Sequence, residues 1–458
     1  MNLTYGVKDR PGFGKVLVFA LQQLLAILAA TIAVPSIIGH GMSQSAALFG
    51  AGVGTIVYLL FTKFKSPVFL GSSFAFLGSM GAAFAGAATA GLTDNAGFAG
   101  MIIGAICAGL VYVIIAVIVK LVGVKWINKL MPPVVIGPTV AIIGLSLAGN
   151  AISDLQHGSV MGADGNPVAS VYLAILCGLV TLFVTILCSV YGKKMLKMIP
   201  FIIGILAGYA VATILTLIGN ATGKEALQII NFSAFENMKW LPEFTVVKGF
   251  QGLKEIDVAY VLSVVIAYAP VAFVVFAEHI ADHKNLSSII GTDLLEEPGL
   301  HRTLLGDGIG SMAGAFFGGC PNTTYGESVG CVAISGNASI VTILATAILA
   351  IVASFIAPFT TFLSTIPSCV MGGVCVALYG FIAVSGLKML QPVDLGDNRN
   401  LFTASVILIA GIGGLTLSFW DGKINLTAVA CALILGIIVN AICGANRNIK
   451  EEKKEEQA

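Results

Sequence analysis

The chain reads as an all-α polytopic membrane protein of fourteen membrane segments, arranged as two inverted halves of seven. Three observations lead there: a composition too apolar for water, basic residues that alternate across the spans, and short motifs repeated in order along the two halves. Of 458 residues, 57% are hydrophobic and only 10% charged, with mean hydropathy +0.96. Soluble domains carry about 25% charged residues, so the solvent is lipid. The net charge of +1 gives no argument for a nucleic-acid partner. The nine cysteines lie almost wholly in apolar runs without paired spacing, and suggest neither a disulfide framework nor a zinc site. The polar start, MNLTYGVKDRPGFGK, precedes an apolar run too long for a signal-peptide core, so no cleavage is expected.

A spanning helix needs roughly 20 apolar residues. Clear candidates are 14–38, 45–62, 95–119, 133–151, 167–190, 198–218, 256–280, 338–359, 369–387, 400–419 and 424–444. Three more segments, 66–90, 304–318 and 321–335, are apolar but interrupted by Gly, Ser, Thr, Asn or Pro. Such backbone survives at membrane depth only where protein buries it or a cavity meets it. With the N-terminus inside, five of the 24 Lys and Arg fall outside: Lys224, Lys239, Lys248, Lys254 and Lys423. The other 19 fall in cytoplasmic segments, among them Lys125, Lys129 and Lys194. That bias supports fourteen segments with both termini cytoplasmic.

The repeat rests on two pairs of motifs. Ser72-Ser73-Phe74-Ala75-Phe76 in the third segment parallels Thr323-Thr324-Tyr325-Gly326-Glu327 in the tenth. Pro132-Pro133-Val134 and Pro367-Ser368-Cys369 open later segments in the same order. Seven spans is an odd number, so the second half enters from the opposite side, as in many secondary transporters. The β-branched and aromatic residues of SSFAF and TTYGE favour short extended strands in segments 3 and 10. If the two cross in mid-membrane, Phe74 and Gly326 offer N–H groups from opposite sides. The glycines of GAGVGT (50–55) and GIGG (411–414), with no charge beside them, suit close helix packing instead.

Two carboxylates at membrane depth, Glu278 and Glu327, mark the candidate site, because intramembrane ionisable groups usually face a cavity and have a task. On a helix, Glu278 and Asp282 share one face, and His279 and His283 the next. Histidines four apart suit zinc, but the order is not HExxH and no third ligand is evident, so no metal is expected. Glu278 as a paired buried strut is a second reading. The reading preferred here has Glu278 accept hydrogen bonds from a ligand and share a proton with His283. Asp307 is expected to cap the segment it begins. His40, His157 and His301 are expected in solvated loops, Trp126 and Trp240 at the interfaces, and NRNIKEEKKEEQA as a solvated tail.

The motifs AEHxxxH, AFFGGCPNTTYGES, LGSSFAF and PGLHR resemble the nucleobase–ascorbate transporter (nucleobase:cation symporter-2) family, in particular its bacterial uracil–proton symporter branch. The resemblance covers essentially the whole chain. It implies a core domain of segments 1–4 and 8–11 (14–119 and 256–359) and a gate domain of segments 5–7 and 12–14 (120–218 and 360–445). Around these lie a cytoplasmic N-terminus (1–13), an outer loop (219–255) and a cytoplasmic tail (446–458). Carried over by motif, the substrate-binding residues are Glu278, Glu327, Phe74, Gly326, Tyr325, Ala30 and Ser73, and the proton-coupling residues are Glu278, His283 and Glu327. The implied activity is import of uracil with a proton, by movement of core against gate. No catalytic residue and no cofactor other than the coupling H+ are implied. The implied setting is the plasma or inner membrane, in a homodimer through the gate domains.

The chain departs from that pattern at Gln22-Gln23, where relatives carry Gln-His, and at Ser328 through Gly336, where Asn, Thr and basic positions are replaced. The TTYGE string favours a pyrimidine. Alternatives are a xanthine- or urate-type purine symporter, a sodium-coupled carrier and a passive facilitator. An intramembrane enzyme lacks a nucleophile–base pair.

Overall fold

The computed structural model describes residues 3–123, 126, 130–162, 165–193, 195–419 and 424–455. Lys125, Lys129, Lys194 and Lys423, part of the charge argument above, lie outside the described residues, as do 456–458 at the end of the tail.

The first half runs α1 (Phe13–Ile38), α2 (Gln44–Phe61), β1 (Leu70–Ser72), a 3₁₀ turn (Phe74–Phe76), α3 (Leu77–Thr89), α4 (Asp94–Val122), α5 (Pro133–Ser146), α6 (Ala148–Leu155), α7 (Val171–Tyr191), α8 (Met195–Met198) and α9 (Pro200–Thr222). After α10 (Thr245–Gly252) come α11 (Val258–Ile290), α12 (Leu300–Gly318), β2 (Asn322–Thr324), α13 (Gly326–Ser335), α14 (Ile340–Ser354) and α15 (Ala357–Ser364). The chain closes with α16 (Ser368–Met389), α17 (Asn398–Ile412), β3 (Leu417–Phe419), β4 (Ile424–Leu426) and α18 (Ala428–Glu455). Among the described residues, eight helices are long and apolar enough to cross a membrane: α1, α2, α4, α5 with α6 (Pro133–Leu155), α7, α9, α11 and α16.

Several sequence expectations change. The segment 304–318 is not broken: α12 is a continuous helix, and its glycines serve packing. Gly310 faces Gly54, and Gly314 and Gly318 face Gly50, so α2 and α12 approach backbone to backbone. The expected span 338–359 bends by 83° between α14 and α15, where Pro358 occupies the first turn of the second helix. The span expected over 400–419 ends as a helix at Ile412, and Leu417 to Phe419 pair with β4 in a hairpin. The charged tail continues α18 to Glu455. His301 stands in the first turn of α12, not in a loop. Trp240 is exposed and Trp126 half-buried. GAGVGT packs as expected: a Cβ on Gly52 would meet the Ala347 carbonyl at 2.6 Å.

The helices sort into two packed groups. One holds α1, α2, α3, α4, α11, α12, α13 and α14; the other holds α5, α7, α9, α16, α17 and α18. Between the groups, α11 touches α5 and α18, and α1 touches α9 and α16.

At the centre of the first group the two broken segments meet. β1 and β2 pair antiparallel, Leu70 opposite Thr324 and Ser72 opposite Asn322. Ser73 N–H donates to the Pro321 carbonyl (2.9 Å) and Tyr325 N–H to the Phe69 carbonyl (3.2 Å), which extends the ladder at both ends. Side chains complete it. Thr55 on α2 accepts from Leu70 N–H (2.9 Å), and the Ser328 hydroxyl accepts from Phe69 N–H (3.0 Å) and from the Gln23 amide (2.5 Å). The Tyr325 ring lies over Gly71, where a Cβ would stand 2.2 Å from it, and its hydroxyl donates to the Ser72 carbonyl (2.8 Å). Asn322 reaches between α2 and α12 to donate to the Gly50 carbonyl (3.1 Å).

That last contact sets a prediction. A Cβ on Gly314 would stand 2.1 Å from the Asn322 amide nitrogen, whereas one on Gly78 of α3 meets nothing within 4 Å. Gly314→Ala is expected to cost about 1–3 kcal/mol, read as a lower melting temperature of the detergent-purified protein. Gly78→Ala is expected to melt like the parent.

Candidate functional site

Antiparallel strands send the helices that follow them in opposite directions. The 3₁₀ turn into α3 starts at Phe74 and α13 starts at Gly326, so two helix N-termini abut one point. The first N–H groups of a helix have no intrahelical acceptor and carry partial positive charge. A cavity of about 340 Å³ opens at that point. Its polar wall comes from the first helix group: Ser73, Phe74, Glu278, Asp282, Thr323, Thr324, Tyr325, Gly326 and Glu327. Its opposite wall is mostly apolar and comes from the second group, with Val140, Ile143, Phe201, Leu378 and Phe381 among its residues. Phe74 is fixed there by an edge-on contact with the Tyr379 ring, centroids 5.8 Å apart.

Glu278 projects from the middle of α11 and Glu327 from the first turn of α13, both half-buried. A carboxylate in the first turn of a helix is favoured by the helix dipole. One helical turn beyond Glu278, Asp282 also faces the cavity, and its Oδ2 accepts from the Thr324 hydroxyl (2.8 Å). The polar wall thus offers carboxylate acceptors on two sides and backbone donors between them. A flat molecule carrying both N–H and C=O groups would find partners for each, and apolar side chains for its faces.

Of the residues expected from sequence, Glu278, Glu327, Phe74, Gly326, Tyr325 and Ser73 come together at this cavity. Ala30 is fully buried in α1 and is not among the lining residues. His283 also stands off the cavity. It is buried on the neighbouring face of α11, where Nδ1–H donates to the His279 carbonyl (2.8 Å) and Nε2 meets the Tyr58 hydroxyl (2.7 Å). Its ring stacks on His279, centroids 4.0 Å apart. Asp307 is not a cap. It lies buried within α12, its Oδ2 2.8 Å from His279 Nδ1. The sequence reading missed Asp282 as a lining residue, although its i,i+4 spacing from Glu278 was the available signal. Among the described residues, no three His, Cys, Asp or Glu side chains are grouped so as to hold a metal ion.

A second opening, about 520 Å³, lies near the end of α1 and the start of α2, and Asp154, Lys239 and Glu243 are among its lining residues. The Lys239 ammonium beside Glu243 holds that carboxyl below the usual carboxylate range. Both charges are exposed or partly so.

The sequence profile described as the Permease family matches residues 14–419. Among curated proteins, the chain is 38% identical to the uracil permease of Bacillus caldolyticus, over 98% of this chain and 97% of that one. It is 37% identical to the uracil permease of Bacillus subtilis, over 100% and 97%. Among solved structures, the transmembrane domain of a cyanobacterial bicarbonate transporter, BicA, is similar in fold, with a TM-score of 0.63 at 17% identity over 97% of this chain and 100% of that domain. Full-length similarity to permeases and eight apolar helices make this a multi-pass membrane protein. The chain belongs to the permease family matched here, that of the nucleobase–ascorbate transporters.

Proposed function

We propose that the protein imports uracil together with a proton, by movement of one helix group against the other. The observation that carries this reading is the cavity at the strand crossing, walled by Glu278 and Glu327 and by the N-termini at Phe74 and Gly326. Uracil has two ring N–H donors and two carbonyl acceptors. The carboxylates accept from the first pair, the Phe74 and Gly326 amides donate to the second, and Tyr325 packs the ring. Two relatives named uracil permease, similar over their full length, support this substrate. A site that partners every polar edge rejects molecules lacking one of them, because its own buried groups are then left bare.

The first helix group corresponds to the core domain (14–119 and 256–359) and the second to the gate domain (120–218 and 360–445). In this reading the fourteen segments form a seven-plus-seven inverted repeat, the shorter helices and the bent α14–α15 pair accounting for spans beyond the eight long ones. Both termini are cytoplasmic, the membrane is the cell's plasma or inner membrane, and gate domains pair in a homodimer. The cavity lies between the groups, which suits alternating access: sliding the carboxylate wall along the apolar wall opens it to either side without breaking the crossing. The coupling ion is H+, carried by titratable groups near the substrate (Glu278 and Glu327, with His283 behind them).

Two outcomes test this. Purified protein in proteoliposomes should accumulate labelled uracil when the outside is acidic. A protonophore should abolish the accumulation, and excess unlabelled uracil but not xanthine should compete. Accumulation that needs sodium, or equilibration without accumulation, contradicts proton coupling. Separately, Glu278→Gln and Glu327→Gln should each weaken uracil binding by about tenfold or more, since a hydrogen bond to a charged group is worth about 1.5–3 kcal/mol. Unchanged affinity in either variant removes that carboxylate from the site.

A further inference from the structure

Behind α11, away from the substrate cavity, lies a second buried polar cluster. His279, 0% exposed, touches Asp307 through Nδ1 and the Thr303 hydroxyl through Nε2 (2.9 Å). The Thr303 hydroxyl also lies 3.0 Å from the Leu300 carbonyl, so its single hydrogen has two acceptors within reach, that carbonyl and His279 Nε2. With the hydrogen on the Leu300 carbonyl, Thr303 Oγ1 accepts from His279 Nε2–H; with it on Nε2, the ring is neutral and carries Nδ1–H alone. The 2.8 Å contact between Nδ1 and Asp307 Oδ2 needs a further hydrogen of its own. A carboxylate this deeply buried is costly unless its charge is met, and one further proton held between imidazole and carboxyl meets it, which favours the arrangement with Nε2–H on Thr303.

The other carboxyl oxygen, Asp307 Oδ1, has no protein partner, and neither do the Tyr112 hydroxyl and Asn322 Oδ1. All three groups are buried, and their residues line one small void of about 10 Å³. A void of that size is about one probe sphere, enough for a single water. A water placed there would donate to Asp307 Oδ1 and Asn322 Oδ1 and accept from Tyr112, three hydrogen bonds in all, the usual number for a buried water. Beside a pair neutralised by its own proton, a sodium ion would add an uncompensated positive charge.

We propose that His279 and Asp307 hold one proton as a unit, and that a single water in this void joins Asp307 to Asn322 and so to the crossing strands. When the proton leaves from Nε2, the ring keeps Nδ1–H on Asp307, and the Thr303 hydroxyl turns its hydrogen from Leu300 to the vacated nitrogen. The ionisable groups facing the pair are Tyr112 on α4, 6.5 Å from the His279 ring centroid, His283, stacked on it, and Tyr58 on α2, bonded to His283. Glu278 and Asp282 lie on the adjoining face of α11, near enough for their charges to act on Asp307. The water makes Asn322, which fixes β2 between α2 and α12, the link between this proton and the substrate site. That coupling role rests on the transport reading above; the proton and the water do not.

The test uses the full chain labelled with [15N]histidine, whose five histidines keep the spectrum simple. At neutral pH the His279 signals, assigned by their shift in Asp307→Asn, are expected to show Nε2 protonated. A neutral Nδ1–H ring from pH 5 to 8 overturns the paired proton. If Asp307→Asn does not fold, Thr303→Val serves instead, because losing the acceptor shifts Nε2–H alone. A high-resolution structure in sodium-free buffer is expected to show one density peak within hydrogen-bond distance of all three oxygens. An empty void, or a peak seen only with sodium, overturns the water. In proteoliposomes, Asp307→Asn is expected to retain uracil counterflow while proton-driven accumulation falls to the level without a gradient. Wild-type protein that shows no counterflow speaks against uracil as the substrate, and the nitrogen spectrum still decides the proton.

Discussion

Unpaired backbone cannot rest in lipid, and the meeting of β1 with β2 depends on that constraint. Two segments leave the helical state at membrane depth. Their N–H and C=O groups are satisfied by each other and by side chains from Thr55, Ser328 and Tyr325. The glycines of α2 and α12 exist for the same reason: they bring two backbones close enough for the Asn322 amide to reach the Gly50 carbonyl. What the crossing does not satisfy is what the site uses. Phe74 and Gly326 begin helices and so keep donors to spare.

Polarity is divided between two bodies. Every carboxylate of the cavity, and both helix N-termini, belong to the first helix group, while the second presents mainly aliphatic and aromatic side chains. Polar hydrogen bonds need fixed geometry, whereas apolar contact tolerates sliding. A ligand bound to the polar wall can therefore travel with it. His279, Asp307 and Thr303 sit in the same helix group, and the proposed water would link them to the strands through Asn322.

Much of this was legible in the sequence. The interruption of segments 66–90 and 321–335, the carboxylates at 278 and 327, and the paired string Ser72–Phe76 and Thr323–Glu327 located the crossing and most of its cavity. Errors came from local ambiguity. The Gly-rich 304–318 looks like a break, but small residues serve tight packing equally well, and only the partner helix decides. The bend before Pro358 was read through as one span because its flanks are uniformly apolar. On α11, neighbouring residues differ by about 100° of rotation, which turns Asp282 into the cavity and His283 away from it. Sequence spacing grouped these side chains correctly but could not say which face looks at the ligand.

The claim at the centre of this account is that two carboxylates accept the two ring N–H groups of uracil. Equilibrium binding to the purified protein of uracil, 1-methyluracil and 3-methyluracil tests it directly, because each methyl group removes one donor. The account predicts that either methylation weakens binding by about tenfold or more. Both methylated bases binding as tightly as uracil would contradict it.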